Sequence, residues 1–209
     1  MVIKSIVVGA LQVNCYVVAD DASRKAMVID PGDEPDMIMD VVKGNNLEVE
    51  YIVCTHGHFD HVGAVSDIKD ETGAKVVIHR DELAMYNGAK DMAAFWGYEL
   101  DPLPEPDILV KDGDSVKAGD LSFEIMHSPG HSPGGLCLFG NGIVISGDTL
   151  FAGSIGRTDF VGGDIGKLKK SFQRLMALPE ETRVLSGHGP QTTIGREKRE
   201  NTFSAEFLK

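Results

Sequence analysis

Four side chains able to hold a metal ion stand within six residues of one another in Thr55-His56-Gly57-His58-Phe59-Asp60-His61. Unpaired polar groups are costly to bury, so such a cluster must sit where backbone and partner side chains can satisfy it. The run before it, Tyr51 to Cys54, is apolar and strand-like, and Val62, Val65 and Ile68 after it have helical spacing up to Gly73. The cluster therefore falls on a strand-to-helix loop. In an extended segment residues two apart point the same way, so His56 and His58 can grip one cation, while Asp60 and His61 at the turn re-aim toward a second position. Gly57 is expected to let the backbone crowd the ion.

Three further pieces follow strand-like runs in the same manner: Ser128-Pro129-Gly130-His131-Ser132-Pro133-Gly134-Gly135, Gly147-Asp148-Thr149 and Ser186-Gly187-His188-Gly189. With the first cluster they provide five of the seven histidines and two aspartates. That set suffices for two ions with three protein ligands each and one shared carboxylate, leaving positions open for water, the mark of a catalytic site. The chain has neither a G-x-S-x-G elbow nor a cysteine beside a free base.

Around these loops the sequence alternates strand and helix patterns. Ile3 to Val8, Cys15 to Val18, Ala26 to Ile29 and Lys75 to Ile78 read as strands, and Asp33 with Pro35 behind it marks a helix start. Asp81 to Asp107 reads as a short helical excursion and a stiff proline-rich connector. Strands resume near Leu121 to Met126, Gly135 to Phe139, Gly142 to Ser146 and Arg183 to Leu185. Asp164 caps a helix whose Ile165, Leu168, Phe172, Leu175 and Met176 share one face. The halves echo each other, Val28-Ile29-Asp30-Pro31-Gly32-Asp33 against Val144-Ile145-Ser146-Gly147-Asp148-Thr149, which predicts two similar β/α halves meeting at one edge.

The ordered set T-H-G-H-F-D-H, S-P-G-H-S-P-G-G, G-D-T-L-F, G-R-T-D and S-G-H-G resembles the metallo-β-lactamase superfamily, and within it the short bacterial form of the glyoxalase II-like (hydroxyacylglutathione hydrolase-like) branch. The resemblance runs from about Asn14 to Phe203. It implies a four-layer αββα sandwich of α/β class over residues 1–209, with a binuclear site at the sheet edges. By motif, His56, His58 and His131 would bind one metal and Asp60, His61 and His188 the other, with Asp148 bridging them together with a water or hydroxide. Asp30 matches a position that orients an imidazole, and Asp60 and Asp30 are the candidate catalytic carboxylates. Zinc is the first expectation for these donors, and iron or manganese also accept them. The lactamases proper carry another residue where Asp148 stands, so antibiotic hydrolysis is not favoured. Long glyoxalase II enzymes have a helical glutathione-binding segment that this chain replaces by a short one from about residue 190.

The activity so implied is hydrolysis of thioesters of the S-lactoylglutathione type by a metal-bridging hydroxide. A mononuclear-iron glutathione persulfide dioxygenase using His56, His131 and Asp148 is the alternative, since G-R-T-D-F also resembles that branch. A metal-dependent nuclease is disfavoured: with 20 Lys and Arg against 32 Asp and Glu, the net charge of −12 repels phosphate backbones. No apolar run is long enough for a membrane span, and Cys15, Cys54 and Cys137 read as buried, reduced thiols of a cytoplasmic protein. Arg157, Arg196, Lys198 and Arg199 are the candidates for a substrate's carboxylates, Arg157 alternatively pairing with Asp159. Phe95, Trp96 and Tyr98 read as core, with pocket wall or subunit contact as alternatives. His79 and His127 read as structural, and Thr149 as a local cap or a partner of a metal ligand.

Overall fold

Runs rich in valine and isoleucine suit the pleated, half-buried surface of a sheet. In the computed structural model, which describes residues 1–208, they form two six-stranded sheets. The first has the order β1 (Val2–Val8), β2 (Val13–Ala19), β3 (Lys25–Ile29), β4 (Glu48–Val53), β5 (Lys75–His79) and β6 (Ile108–Val110). Strands β1 to β3 are antiparallel and β3 to β6 parallel. Its helices are α1 (Pro35–Gly44), α2 (Phe59–Val62), α3 (Val65–Thr72), α4 (Leu83–Asn87) and α5 (Ala89–Phe95). The second sheet contains β7 (Ser115–Ala118), β8 (Leu121–His127), β9 (Leu136–Gly140), β10 (Ile143–Gly147), β13 (Arg183–Ser186) and β14 (Thr192–Thr193), in the order β14-β13-β10-β9-β8-β7. A small hairpin of β11 (Leu150–Phe151) and β12 (Ser154–Ile155) stands apart, and α6 (Ile165–Met176), α7 (Ile194–Glu200) and α8 (Ser204–Phe207) complete the chain.

Three apolar layers hold these elements together. Between the sheets, Tyr16, Met27 and Ile29 meet Phe123, Ile125 and Leu185. Outside the first sheet lie Ile38, Val42, Ile68 and Tyr86, and outside the second Leu168, Phe172, Ile194 and Phe207. The result is the αββα sandwich, and it explains why β2 is buried at every residue and shows no polar alternation: both its faces are covered.

The internal echo has a topological basis. β3 pairs in parallel with β4, and β10 in parallel with β13. Parallel neighbours end at the same sheet edge, so Asp30 beyond β3 arrives beside the histidine loop beyond β4, and Asp148 beside His188 in the same way.

Several local expectations change in the fold. The single helix read through Val62 and Ile68 breaks at Gly63-Ala64, where Ala64 N donates to Pro31 O at 2.9 Å and a Cβ on Gly63 would come within 2.2 Å of Gly32 O. Asp33 does not cap α1: the capping position is Glu34, at φ 51°, and no side chain caps it. Asp164 does cap α6, accepting from Lys167 N, but Ile165 is 52% exposed because the buried stripe begins one turn later at Leu168. The remaining missed strands are two to four residues long, too short to show a period.

All three cysteines are buried and free. Burial first, and then the nearby Asp30 carboxylate, push the thiols of Cys15 and Cys54 well above their ordinary value, and burial pushes Cys137 up to about 11. A thiol reagent at pH 8 should therefore label none of them in the folded protein and all three after denaturation. Rapid labelling of any one in the native state would contradict this burial.

Candidate metal centre

Seven donors converge where the two sheets meet at one edge. His56 and His58, on the loop after β4, face His131, on the loop after β8: His56 Nε2 and His131 Nε2 lie 3.1 and 3.0 Å from His58 Nδ1. Three imidazole nitrogens cannot satisfy one another, but this spacing is close to the ~3.3 Å edge of a tetrahedron with metal–nitrogen bonds of ~2.0–2.1 Å. On the other side, His61 Nε2 lies 3.3 Å from His188 Nε2, and Asp60 Oδ2 lies 3.5 Å from His188 Nε2 and 3.7 Å from His61 Nε2. Asp148 stands between the groups, with Oδ1 3.5 Å from His61 Nε2 and Oδ2 3.6 Å from Nε2 of both His131 and His188. Its buried Oδ1 has no hydrogen-bond partner among the described residues. An orphaned carboxylate oxygen ringed by imidazoles fits a divalent cation, so the donor set suits the ions its chemistry implies.

Burial and neighbouring charges divide the imidazoles. Burial, followed by the neighbouring imidazoles, holds His56 well below its ordinary value, and burial and then His131 bring His58 down to about 3, so both are neutral donors. His61 goes the other way: burial opposes its charge, but Asp148, Asp60 and Asp30 outweigh it and raise the ring to about 10, so a cation bound among these carboxylates would have to displace that proton. Burial likewise opposes ionisation of Asp60, and His61 with the other imidazoles overcomes it, keeping the carboxylate ionised.

The donors are aimed by groups behind them. Buried Asp30 sets Oδ2 3.0 Å from His61 Nδ1 and accepts from Thr55 Oγ1 at 2.7 Å, while its Oδ1 accepts from Thr55 N at 2.7 Å. Thr55 Oγ1 in turn lies 3.1 Å from His56 Nδ1, so one carboxylate reaches an imidazole of each group. His131 Nδ1 is 2.8 Å from Arg157 O. Glu82, fully buried, was not visible as a site residue: its Oε1 accepts from Gly57 N and its Oε2 from Ser132 Oγ and Gly134 N, tying the two loops of the first group together. Asn14 and Tyr16 of β2 hold the His188 loop by donating to Ser186 O. Gly57 is required for a reason other than the ion, since a Cβ there would lie 2.5 Å from Tyr86 N of α4.

The remaining candidates separate by position. Arg157 lines a cavity of about 580 Å³ above the donors and also pairs bidentately with Asp159, both contacts at 2.7 Å. Arg196 pairs with Glu200, and Lys198 and Arg199 lie 3.7 and 3.6 Å from Glu180; none of the three lines that cavity. Phe95, Trp96 and Tyr98 are exposed instead of core, because α5 ends at Phe95 and the chain beyond it lies over the cavity mouth, which Trp96 and Tyr98 line. Thr149 Oγ1 has only a long contact to Ser128 O, leaving the link to a ligand to Thr55. His79 and His127 stack at 4.0 Å with rings 9° from parallel, and neither lines that cavity.

Residues 8–188 match the family described as the metallo-beta-lactamase superfamily. The chain belongs to that superfamily. The Haemophilus influenzae protein named hydroxyacylglutathione hydrolase GloC is 35% identical, over 97% of this chain and 98% of its own. Among solved structures, the BLEG-1 B3 metallo-beta-lactamase superposes with a TM-score of 0.91 at 35% identity, covering 97% of this chain and 99% of its own. TTHA1623 in a di-iron-bound form gives 0.89 at 40%, covering 96% and 99%, and ETHE1 from Myxococcus xanthus 0.85 at 28%, covering 98% and 85%.

Two substitutions test how the centre is held. Asp30→Asn should weaken metal affinity about 10–100-fold by calorimetry, since it loses the charge that orients His61. Glu82→Ala should lower thermal stability and metal retention together, by about 3 kcal/mol or more, because three buried donors lose their acceptor at ~1–3 kcal/mol each. A Glu82→Ala protein with native melting temperature and metal content would show that the link between the loops is dispensable.

Proposed function

We propose that this protein is a binuclear metallohydrolase cleaving thioesters of the hydroxyacylglutathione type, working in the cytoplasm. The observation behind this reading is the position of Asp148, a carboxylate within 3.6 Å of imidazoles from both donor groups, which would let two ions share it, beside a second donor set of Asp60, His61 and His188 that a single ion would leave unused. His56, His58 and His131 would hold one ion and Asp60, His61 and His188 the other, with zinc as first choice and iron or manganese compatible. Bound there, such ions supply a polarised carbonyl and a water of lowered pKa.

The chain's own residues do the rest. Burial keeps His56 and His58 unprotonated, Asp60 stays ionised, and Asp30 and Thr55 fix the directions of His61 and His56. None of the three thiols is placed as a nucleophile, since all are buried and raised in pKa. A thioester suits such a site because its thiolate leaves without a proton. The similarity to a protein named hydroxyacylglutathione hydrolase supports the choice of thiol.

The dioxygenase alternative needs only His56, His131 and Asp148, so it differs at Asp60. Asp60→Ala should lower S-lactoylglutathione hydrolysis by at least ~10²-fold and metal content to about one ion per chain. If the variant kept one iron and full oxygen uptake with glutathione persulfide, the hydrolase reading would fall. Nitrocefin belongs in the same assay, given the similarity to a B3 metallo-beta-lactamase, and turnover of it alone would overturn the thioester reading too.

A further inference from the structure

We infer that the cavity above the metal centre is built to take an uncharged, apolar acyl group, aromatic or alkyl, seated against Trp96 and Phe160. This rests on the thioester reading and adds which thioesters the site favours. The floor of the cavity is polar, formed by the donors themselves, but its walls are not: Met92, Trp96, Phe151, Ile155 and Phe160 rise from α5, the β11–β12 hairpin and the loop before α6. The rings form a continuous face. Trp96 and Phe160 have centroids 6.0 Å apart, and Phe160 meets the His58 imidazole edge-on at 6.0 Å. A flat or flexible apolar group can therefore lie along one wall from the mouth down to a metal-binding histidine.

The charges of the cavity point the same way. Arg157 is the single Lys or Arg among its lining residues, and its guanidinium is already engaged. Two nitrogens bind Asp159, and the carbon between them sits 3.7 Å above the centre of the Phe160 ring. Arg157 thus braces the aromatic wall and offers no free charge inward. The other cations considered for the substrate's carboxylates lie on α7, outside the cavity and paired with Glu180 or Glu200. Apart from the centre on its floor, where the reacting carbonyl must sit, the cavity offers an anionic group no free cationic side chain among its lining residues. The two carboxylates of glutathione are accordingly left toward solvent, and the acyl end is the part that enters. A small, hydroxylated acyl group such as lactoyl would reach the same floor and be cleaved, but it would leave the aromatic wall wet, so it is accepted without being the preferred acyl group.

Trp96 is the sole tryptophan of the chain and is half exposed at the cavity mouth, so intrinsic fluorescence reports occupancy directly. The test uses the metal-loaded full chain and two probe pairs. The first pair, S-phenylacetylglutathione and S-lactoylglutathione, shares its thiol and differs only in the acyl group. The phenylacetyl ester should have the higher kcat/KM by ~10–100-fold, the discrimination an apolar pocket gives for a few carbons. Phe160→Ala should bring the ratio down toward one. The second pair, the uncleavable thioethers S-(2-phenylethyl)glutathione and S-methylglutathione, is titrated against Trp96 emission, and only the phenyl compound should shift or quench it. If lactoyl is preferred and neither thioether perturbs Trp96, the apolar seat is overturned while thioester hydrolysis stands. If no thioester is cleaved but the phenyl thioether still perturbs Trp96, the seat stands and the thioester reading falls.

Discussion

The buried carboxylate of Asp30 is the constraint on which the floor of this protein depends. A lone carboxylate with almost no solvent contact would be strongly destabilising, yet here both oxygens are engaged, by Thr55 through backbone and hydroxyl and by His61. Satisfying that one group fixes the start of the histidine loop and the direction of two imidazoles that belong to different donor groups. The close approach this demands explains the glycine of Asp30-Pro31-Gly32, where a Cβ would strike the backbone carbonyl of Asp60. Glu82 does the corresponding work on the far side, where it joins the loop of His56 and His58 to that of His131. Two buried carboxylates thus act as rivets between loops that are distant in sequence.

The sandwich makes this arrangement possible at modest entropic cost. Parallel pairing of β3 with β4 and of β10 with β13 delivers four loops to one edge of the two sheets. The contact of Asn14 and Tyr16 with Ser186 then closes one sheet against the other at that edge. The rigid apolar layers beneath hold the loops, so these side chains are positioned by packing before any ion binds. Above them the molecule changes character, from a charged floor to an aromatic wall.

Much of this was legible in the residues. The T-H-G-H-F-D-H run, the three later loops and the repeated aspartate-after-strand pattern marked the seven side chains that the fold brings together, because a metal-ligating pattern demands particular side chains at particular spacings whatever surrounds them. The strands of five residues or more and the long helix α6 followed from apolar periodicity for a similar reason: the period is a local property. Asp30 was found as well, since its motif is short and contiguous.

What lay beyond the sequence is what depends on long-range approach. Glu82 is one glutamate among many until the fold places three donors around it from residues 25 to 52 positions away. Gly57 looked like room for an ion and is room for the backbone of α4. Phe95, Trp96 and Tyr98 had the composition of core, but only the tertiary structure leaves them exposed, with Trp96 and Tyr98 at an open mouth, and only there does Arg157 show itself as a brace for Phe160. The sequence by itself determined which atoms could hold metal, because that is written in residue type and spacing. The tertiary structure decided how those atoms are aimed and what stands over them, because both are set by contacts between segments that no local pattern connects.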